Sequence, residues 1–166
     1  NMASLENTVV VGVDGSDAST GAVAYAAHTA ATRGIPLLLV TSYTMPAAMF
    51  AEGMIPPQPV YDELERECLP ILEAAAATAT GVAPGVEVSH RVVEGNPAQV
   101  LTEQSARSDV LLVVRHRRDA THLWPLGGVA RAMMRLSEAP VEVVPDGPDS
   151  DLAPGLRLEE DGQMLR

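Results

Sequence analysis

The chain has 166 residues, of which 46% are hydrophobic and only 3% are aromatic, a composition that fits one domain with a single core of Val, Leu, Ala and Met. The formal net charge is −11, which argues against nucleic acid as a partner because phosphate backbones bind to basic patches. All 11 basic residues are arginines, so mechanisms that need a lysine, such as the Walker A phosphate loop or a Schiff base, are excluded.

Cysteine content and the start of the chain bear on its compartment. Cys68 is the only cysteine, so neither an intrachain disulfide nor a cysteine-based metal cluster is expected. No stretch approaches 18 consecutive apolar residues, and the first residues lack the basic and apolar regions of a signal peptide. We therefore expect a cytoplasmic protein that does not contact the membrane. The Asn before Met2 indicates a cloning remnant, and residues 1–7 are interpreted as a lead segment.

The first apolar run, residues 8–13 (TVVVGV), predicts a strand that is covered on both faces. An acidic turn begins at Asp14, and Ser16 or Asp17 is positioned to cap a helix. Small apolar side chains then recur at helical spacing until Gly34, which predicts the end of that helix. Strand, turn and helix in this order make the first βα unit of an open parallel sheet, where ligands bind beyond the carboxyl ends of the strands.

A second apolar strand is predicted at residues 37–42, and the prolines that follow it indicate a loop up to residue 59. The loop is long for a compact domain, and its composition is apolar, which indicates that it packs on something. Its large apolar residues are Met45, Met49, Phe50, Met54 and Ile55.

The remaining elements continue the alternation of helices and strands. Residues 60–80 have helical spacing of apolar residues and Gly81 as the predicted helix end. Residues 86–93 alternate and predict a third strand nearer the sheet edge, and Asn96 before Pro97 predicts a helix start. The last elements are a strand at 110–114, a helix at 127–137 and a strand at 141–144. This alternation predicts an α/β fold, an open parallel sheet of five strands flanked by helices with right-handed crossovers.

The end of the chain differs in composition from the predicted domain at residues 8–145. Residues 146–166 carry six acidic residues against two arginines and are interpreted as an acidic tail. Two apolar residues before Asp161 and Gly162 and two after them favour a small hairpin, which would pack on this or a neighbouring subunit. They are Leu156, Leu158, Met164 and Leu165.

Five segments follow one another along the chain: VVVGVDGS, EGNPAQVL, DVLLVV, PLGGVARAMM and APVEVVP. Together they resemble the universal stress protein (UspA-like) family. The resemblance extends from about Thr8 to Pro145. The resemblance implies a Rossmann-like sheet of the adenine nucleotide alpha-hydrolase type in a cytoplasmic protein. It also implies a homodimer that pairs through the fifth strand.

In family members that bind ATP, the nucleoside is held near the ends of the first two strands. The resemblance implies that Asp14 holds the ribose or adenine side of the nucleotide. It also implies that backbone between Val40 and Ser42 contacts the adenine.

The family's phosphate site is a glycine pattern after the fourth strand, in which backbone N–H groups point at the phosphate oxygens. The two leading glycine positions are Arg115 and Arg118 in this sequence. The later pair is retained as Gly127 and Gly128, without the hydroxyl residue. The nucleotide-binding motif is therefore degenerate. The arginines form either an anion site of another kind, because guanidinium groups bind phosphate and carboxylate, or a solvated patch paired with carboxylates such as Asp14.

Three functional hypotheses follow. The leading one is a universal-stress-type regulatory or binding protein that does not bind ATP in the family manner and acts through an unknown protein partner or another ligand. The alternative is an ATP-binding member with slow hydrolysis or phosphotransfer. The weaker alternative is an α/β enzyme that acts on an anionic small molecule. No catalytic or metal-binding constellation is found, and ATP with magnesium is the cofactor of the alternative only.

The homodimer hypothesis makes a prediction for a shortened chain. Truncation after Ala139 removes the fifth strand and the edge through which two sheets would pair. We expect the truncated protein to be monomeric in analytical ultracentrifugation, or insoluble. A soluble dimer after this truncation would contradict pairing through the fifth strand.

Overall fold

The computed structural model describes residues 7–104, 110–115, 135, 141–144, 157–158 and 164–165. The strands are β1 (Thr8–Gly12), β2 (Leu37–Tyr43), β3 (Val88–Glu94), β4 (Val110–Arg115), β5 (Val141–Val144), β6 (Arg157–Leu158) and β7 (Met164–Leu165). The helices are α1 (Asp17–Arg33), α2 (Gln58–Val82) and α3 (Pro97–Gln104), with a 3-10 helix at Ala47–Gly53.

Strands β1 to β5 form one parallel sheet in the order β3-β2-β1-β4-β5. This confirms the predicted α/β fold with an open five-stranded parallel sheet. Strand β1 lies at the centre, where Val11 is opposite Leu39 of β2 and Val113 of β4. Strand β3 lies at an edge, as its alternating sequence predicts.

Helices cover the two faces of the sheet in different ways. Helices α1 and α2 share one buried cluster with Val9, Val11 and Leu39, and the residues of α1 in that cluster are mostly alanines. Helix α3 covers the other face and approaches β1 closely, because a Cβ atom added to Gly12 would lie 2.9 Å from Cδ1 of Leu101. The small side chains in α1 and the glycine in β1 therefore let both layers pack tightly on the central strand.

The predicted caps of α1 are confirmed. Ser16 is the N-cap, and its Oγ accepts a hydrogen bond from the amide of Ser19 at 3.2 Å. Gly34 ends the helix in the left-handed region with φ +66°, and its amide donates to the carbonyls of Ala30 and Ala31. The start of α3 is also as predicted, since Asn96 Oδ1 accepts from the amide of Ala98 at 3.0 Å.

The predicted end of α2 at Gly81 is wrong. The helix continues through Gly81 to Val82 and still carries the bond from the Ala83 amide to the Ala79 carbonyl at 2.9 Å. A glycine ends a helix when it takes a positive φ, and Gly81 is absent from the positive-φ residues of the described chain. Helix α2 instead ends before Pro84, and it tolerates Pro70 in its interior.

The loop between β2 and α2 contains a 3-10 helix that the sequence did not indicate. Its large apolar residues divide into two groups. Met45 is buried at 5% exposure, which confirms packing within the chain for that residue. The other four are exposed by 45% to 82% of their surface and are Met49, Phe50, Met54 and Ile55.

Beyond residue 104 the structure describes only short parts of the chain, and several predicted elements fall there. Strands β4 and β5 are present, and β4 extends one residue beyond the prediction to Arg115. Strands β6 and β7 pair antiparallel, which confirms the pairing predicted for the tail, and β6 lies against β5. The helix predicted at 127–137 lies outside the described residues, apart from Arg135, which is helical. Nowhere in the described part of the chain is a helix both long enough and apolar enough to cross a bilayer.

Two glycines with open space around them provide a matched test of backbone conformation. A Cβ atom at either Gly34 or Gly81 would meet nothing within 4 Å. We expect Gly34→Ala to lower the free energy of unfolding by about 1 kcal/mol, because alanine is strained at positive φ. Gly81→Ala should raise it by about 0.5 kcal/mol, because alanine is the better helix former. Urea denaturation of both variants measures these changes, and changes of the same sign would contradict the assigned conformations.

Candidate functional site

The order of the strands creates a crevice beside the end of β1. The chain proceeds from β1 to β2 and β3 on one side, and then crosses to β4 and β5 on the other. In such sheets a ligand crevice opens at the carboxyl ends of the two strands where the direction changes, which here are β1 and β4. The pairing of these strands ends at Val11 and Val113, after which β4 runs two more residues to Arg115 and the chain of β1 runs on through Gly12 and Val13 to Asp14. Two predicted site residues are therefore brought to one edge.

The turn after β1 holds the exposed Asp14 carboxylate in place. Gly15 has φ +80°, which directs the chain back toward the start of α1. Ser16 then donates to Asp14 Oδ1 twice, from its amide at 3.0 Å and from its Oγ at 2.6 Å. The amide of Asp14 donates to Oγ of the buried Ser19 at 3.2 Å. A carboxylate fixed in this way is a preorganised acceptor for hydroxyl groups of a ligand.

Ser19 is the residue of this turn that the sequence analysis missed. Its only signal in the sequence is its position three residues after the N-cap Ser16. At that position the backbone amide usually donates to the cap, and no role is expected for the side chain. In the structure Ser19 is 1% exposed, and its hydroxyl and amide link the Asp14 turn to the first turn of α1. The geometry of the acidic turn therefore depends on α1.

Val40 and Ser42, the predicted adenine contacts, have different surroundings. Val40 is 2% exposed, and its carbonyl accepts a hydrogen bond from the Val13 amide at 2.8 Å. Tyr43 faces the other way, since its carbonyl accepts from Gly95 at 2.9 Å. Peptide groups alternate along a strand, so the amide and carbonyl of Ser42 face the side of β1, just beyond the end of that strand. The backbone of Ser42 therefore lies at the crevice, whereas the carbonyl of Val40 is already used in a hydrogen bond within the sheet.

Carboxylates dominate the side of this edge formed by β2 and β3. The hydroxyl of Tyr43 donates to Glu65 Oε1 of α2 at 3.4 Å. Burial raises the pKa of Tyr43, and the negative charges of Glu65 and Glu94 raise it further. Repulsion from these groups favours placing the anionic part of a ligand on the other side, where β4 ends at Arg115.

A cleft on the α1 and α2 face adjoins the acidic turn. Its volume is about 290 Å³, and the sequence analysis did not foresee it. Small side chains on both helices and Pro70 in α2 leave this space open. It is lined by Val13, Gly15, Ser19, Thr20, Val23, Pro70, Ile71, Ala74, Ala75 and Thr78.

Other predicted residues fall outside the site or outside the described part of the chain. Arg118, Gly127 and Gly128 lie outside the described residues, and Arg115 is described through its backbone. Cys68 is buried in α2 as predicted, and burial raises the pKa of its thiol. The residues that the structure describes contain no group of three His, Cys, Asp or Glu side chains that could hold a metal ion.

Comparison with known proteins identifies the family. The family model of the universal stress protein family matches residues 7–145. The chain belongs to the universal stress protein family. This confirms the resemblance drawn from the five sequence segments, and it accounts for the strand order around β1.

Curated relatives in mycobacteria are universal stress proteins of greater length. One from Mycolicibacterium smegmatis is 30% identical over 137 residues, which is 82% of this chain and 45% of that protein. One from Mycobacterium tuberculosis is 30% identical over 135 residues, which is 81% of this chain and 44% of that protein. The chain thus spans a little under half the length of these relatives.

Solved structures of universal stress proteins share the fold. One, in complex with cAMP, is 30% identical with a TM-score of 0.59 and covers 83% of this chain and 95% of its own. A second, from Archaeoglobus fulgidus in complex with dAMP, is 22% identical with a TM-score of 0.60 and covers 82% and 95%. UspA from Lactobacillus plantarum is 19% identical with a TM-score of 0.63 and covers 83% and 97%. The last two similarities show the fold alone.

The acidic turn of this universal stress protein can be tested through its cap. We expect Ser16→Ala to lower the free energy of unfolding by about 1 kcal/mol, because the first turn of α1 and Asp14 both lose a hydrogen-bond partner. Ser16→Thr should retain most of this stability, since threonine also caps helices. Ser89→Ala on the exposed face of β3 is the control and should change stability by less than about 0.5 kcal/mol. Equal losses in Ser16→Ala and Ser89→Ala would show that the turn is not held by Ser16.

Proposed function

We propose that this chain is a cytoplasmic regulatory or binding protein of the universal stress type, whose crevice takes an adenine nucleotide with a single phosphate. The family's glycine cradle for ATP is degenerate in this proposal. The observation that carries it is that β4 ends at Arg115 and pairs in parallel with β1, whose chain continues to Asp14 just beyond its last residue. A glycine stands at the position of Arg115 in members that bind ATP, according to the family pattern described above.

The nucleoside half of such a ligand has suitable partners. The fixed carboxylate of Asp14 can accept hydrogen bonds from ribose hydroxyls. The backbone of Ser42 offers a donor and an acceptor on the β1 side, which is the pairing that an adenine edge requires. Solved relatives were crystallised with cAMP and with dAMP, and each of these nucleotides has one phosphate.

The phosphate half distinguishes a mononucleotide from ATP. The sequence has an arginine in place of the first glycine, and a guanidinium group can form a two-pronged bond to one phosphate. Repulsion from the carboxylates of Glu65 and Glu94 acts more strongly on a triphosphate than on a monophosphate, because ATP carries more negative charge. Both effects favour the smaller anion.

The proposed assembly is a homodimer through β5. That strand forms the edge of the sheet opposite β3, and edge strands have unpaired backbone groups that another copy can satisfy. The family resemblance supports the same arrangement. The truncation after Ala139 described above tests it.

Calorimetric titration with cAMP, AMP and magnesium ATP tests the nucleotide proposal. We expect the wild-type protein to bind cAMP or AMP in the micromolar range and ATP about tenfold more weakly. Asp14→Ala should weaken the mononucleotide about tenfold, because a preorganised acceptor is lost. The double variant Arg115→Gly/Arg118→Gly should bind ATP more tightly than the wild type, because the glycine pattern is restored.

Arg33→Gln is the control, since it removes one arginine charge at the far end of α1 and should leave all affinities unchanged. Wild-type binding of ATP as tightly as cAMP would contradict the proposed selection and favour the alternative of an ATP-binding member with slow hydrolysis or phosphotransfer. If the wild type binds no nucleotide and the double variant gains ATP, the arginines close the site. The protein then acts through other contacts, and the mononucleotide proposal is wrong.

A further inference from the structure

The segment between β2 and α2 leaves a large apolar surface uncovered. Met49 and Phe50 are exposed by 47% and 45%, and Met54 and Ile55 by 65% and 82%. We call these four residues the apolar patch. Phe50 is the only phenylalanine of a chain with 3% aromatic residues. Four large apolar side chains are thus exposed within the seven residues from Met49 to Ile55, and concentrations of exposed apolar residues mark interaction sites.

The segment that carries the apolar patch is anchored at both ends. Met45 at its start is 5% exposed, and Pro56 near its end is also buried. Between them the chain forms the 3-10 helix, which contains a hydrogen bond from the Met49 amide to the Pro46 carbonyl at 2.9 Å. Two buried anchors with exposed residues between them make a supported surface, and its methionines can adapt their shape to a partner.

The second and third turns of α2, which follow the apolar patch along the chain, are strongly acidic. Ile55 lies three residues before the start of α2 at Gln58. The bond between Tyr43 and Glu65 fixes these turns beside the end of β2, where the segment begins. Four carboxylates lie in these turns against one arginine, Arg66, which is paired with Glu63. The exposed carboxylates are Asp62, Glu63, Glu65 and Glu67.

From this combination we propose that the apolar patch and the acidic turns of α2 together bind a basic, amphipathic helix of a partner protein. The apolar face of such a helix would cover the patch, and its Lys or Arg residues would face the carboxylates. Methionine-rich surfaces bordered by carboxylates suit this type of ligand because they combine adaptable apolar contact with opposite charge. The proposal concerns a protein partner and not a nucleotide, so it goes beyond the proposed function and does not depend on it.

A second copy of the chain fits this surface less well. Two copies placed patch to patch would bring the carboxylates of both α2 helices close together, and like charges repel. The chain as a whole has a net charge of −11, which adds to this repulsion. Charge complementarity therefore favours a basic partner over self-association.

Fluorescence anisotropy with labelled peptides tests the proposal on the full chain without nucleotide. The probe is a peptide of Leu and Lys of about 18 residues, or five helical turns, with all leucines on one face. A scrambled peptide of the same composition lacks that face, and a peptide of Leu and Glu reverses its charge. We expect binding of the amphipathic basic peptide in the micromolar range, about tenfold weaker binding of the scrambled peptide, and none of the acidic one.

Variants assign the binding to the surface. Met54→Ser/Ile55→Ser should weaken the basic peptide about tenfold, and Glu63→Gln/Glu67→Gln about threefold with a smaller dependence on salt. Val82→Ser is the control for the apolar change, since Val82 is 44% exposed at the other end of α2. Glu87→Gln is the control for the charge change, since Glu87 lies beside the start of β2, at the end of the sheet away from the patch. Both controls should bind as the wild type does.

Four results of the peptide and sedimentation experiments would overturn the proposal. They are equal binding by the patch variant and the wild type, equal binding of the scrambled peptide, equal binding of the acidic peptide, and loss of a dimer in sedimentation when the patch is changed. The last result would make the patch a contact between copies of this chain. Flotation with phosphatidylcholine vesicles distinguishes a lipid surface, and vesicle binding that depends on the patch would also contradict a protein partner. Unchanged nucleotide affinity in the patch variant keeps this test separate from that of the crevice.

Discussion

Burial of the valines of β1 is the constraint on which the other features of the structure depend. The strand is hydrogen-bonded to β2 and β4 and covered by helices on both faces, so Val9, Val10 and Val11 are all 0% exposed. A polar side chain in the middle of such a strand would lose its hydration, so a buried strand is a poor place for a ligand-binding group. Chemistry is therefore expected at the point where the strand ends, and the turn at Asp14 occupies that point.

The sequence predicts this turn because its signals are local. A valine run, a glycine with positive φ and a capping serine specify strand, turn and helix without help from distant residues. The caps at Ser16, Gly34 and Asn96 were predictable for the same reason. Local signals also explain why the alternation of strands and helices was sufficient to derive the five-stranded parallel sheet.

Other features depend on contacts that the sequence does not record. Gly81 has the residue type of a helix end, but its backbone remains helical because the bonds of α2 continue to Ala83. Val40 and Ser42 both face the side of β1, and they differ because the Val13 amide pairs with Val40 whereas β1 ends before it reaches Ser42; only the register of β2 along β1 determines that. Exposure of Phe50 is likewise tertiary, since an apolar loop in sequence fits a covered and an uncovered surface equally well.

The crevice and the apolar patch are joined by a short stretch of chain. Ser42 brings its backbone to the crevice, and Met45, three residues later, anchors the segment that carries the patch. A ligand at either site that alters the position of this stretch changes the free energy of binding at the other, and thermodynamic linkage makes the two changes equal. Since Tyr43 lies between them and contacts Glu65 of α2, the end of β2 is the element through which a nucleotide and a protein partner would influence each other. If both proposed sites bind their ligands, occupation of one would therefore report on the other through the end of β2.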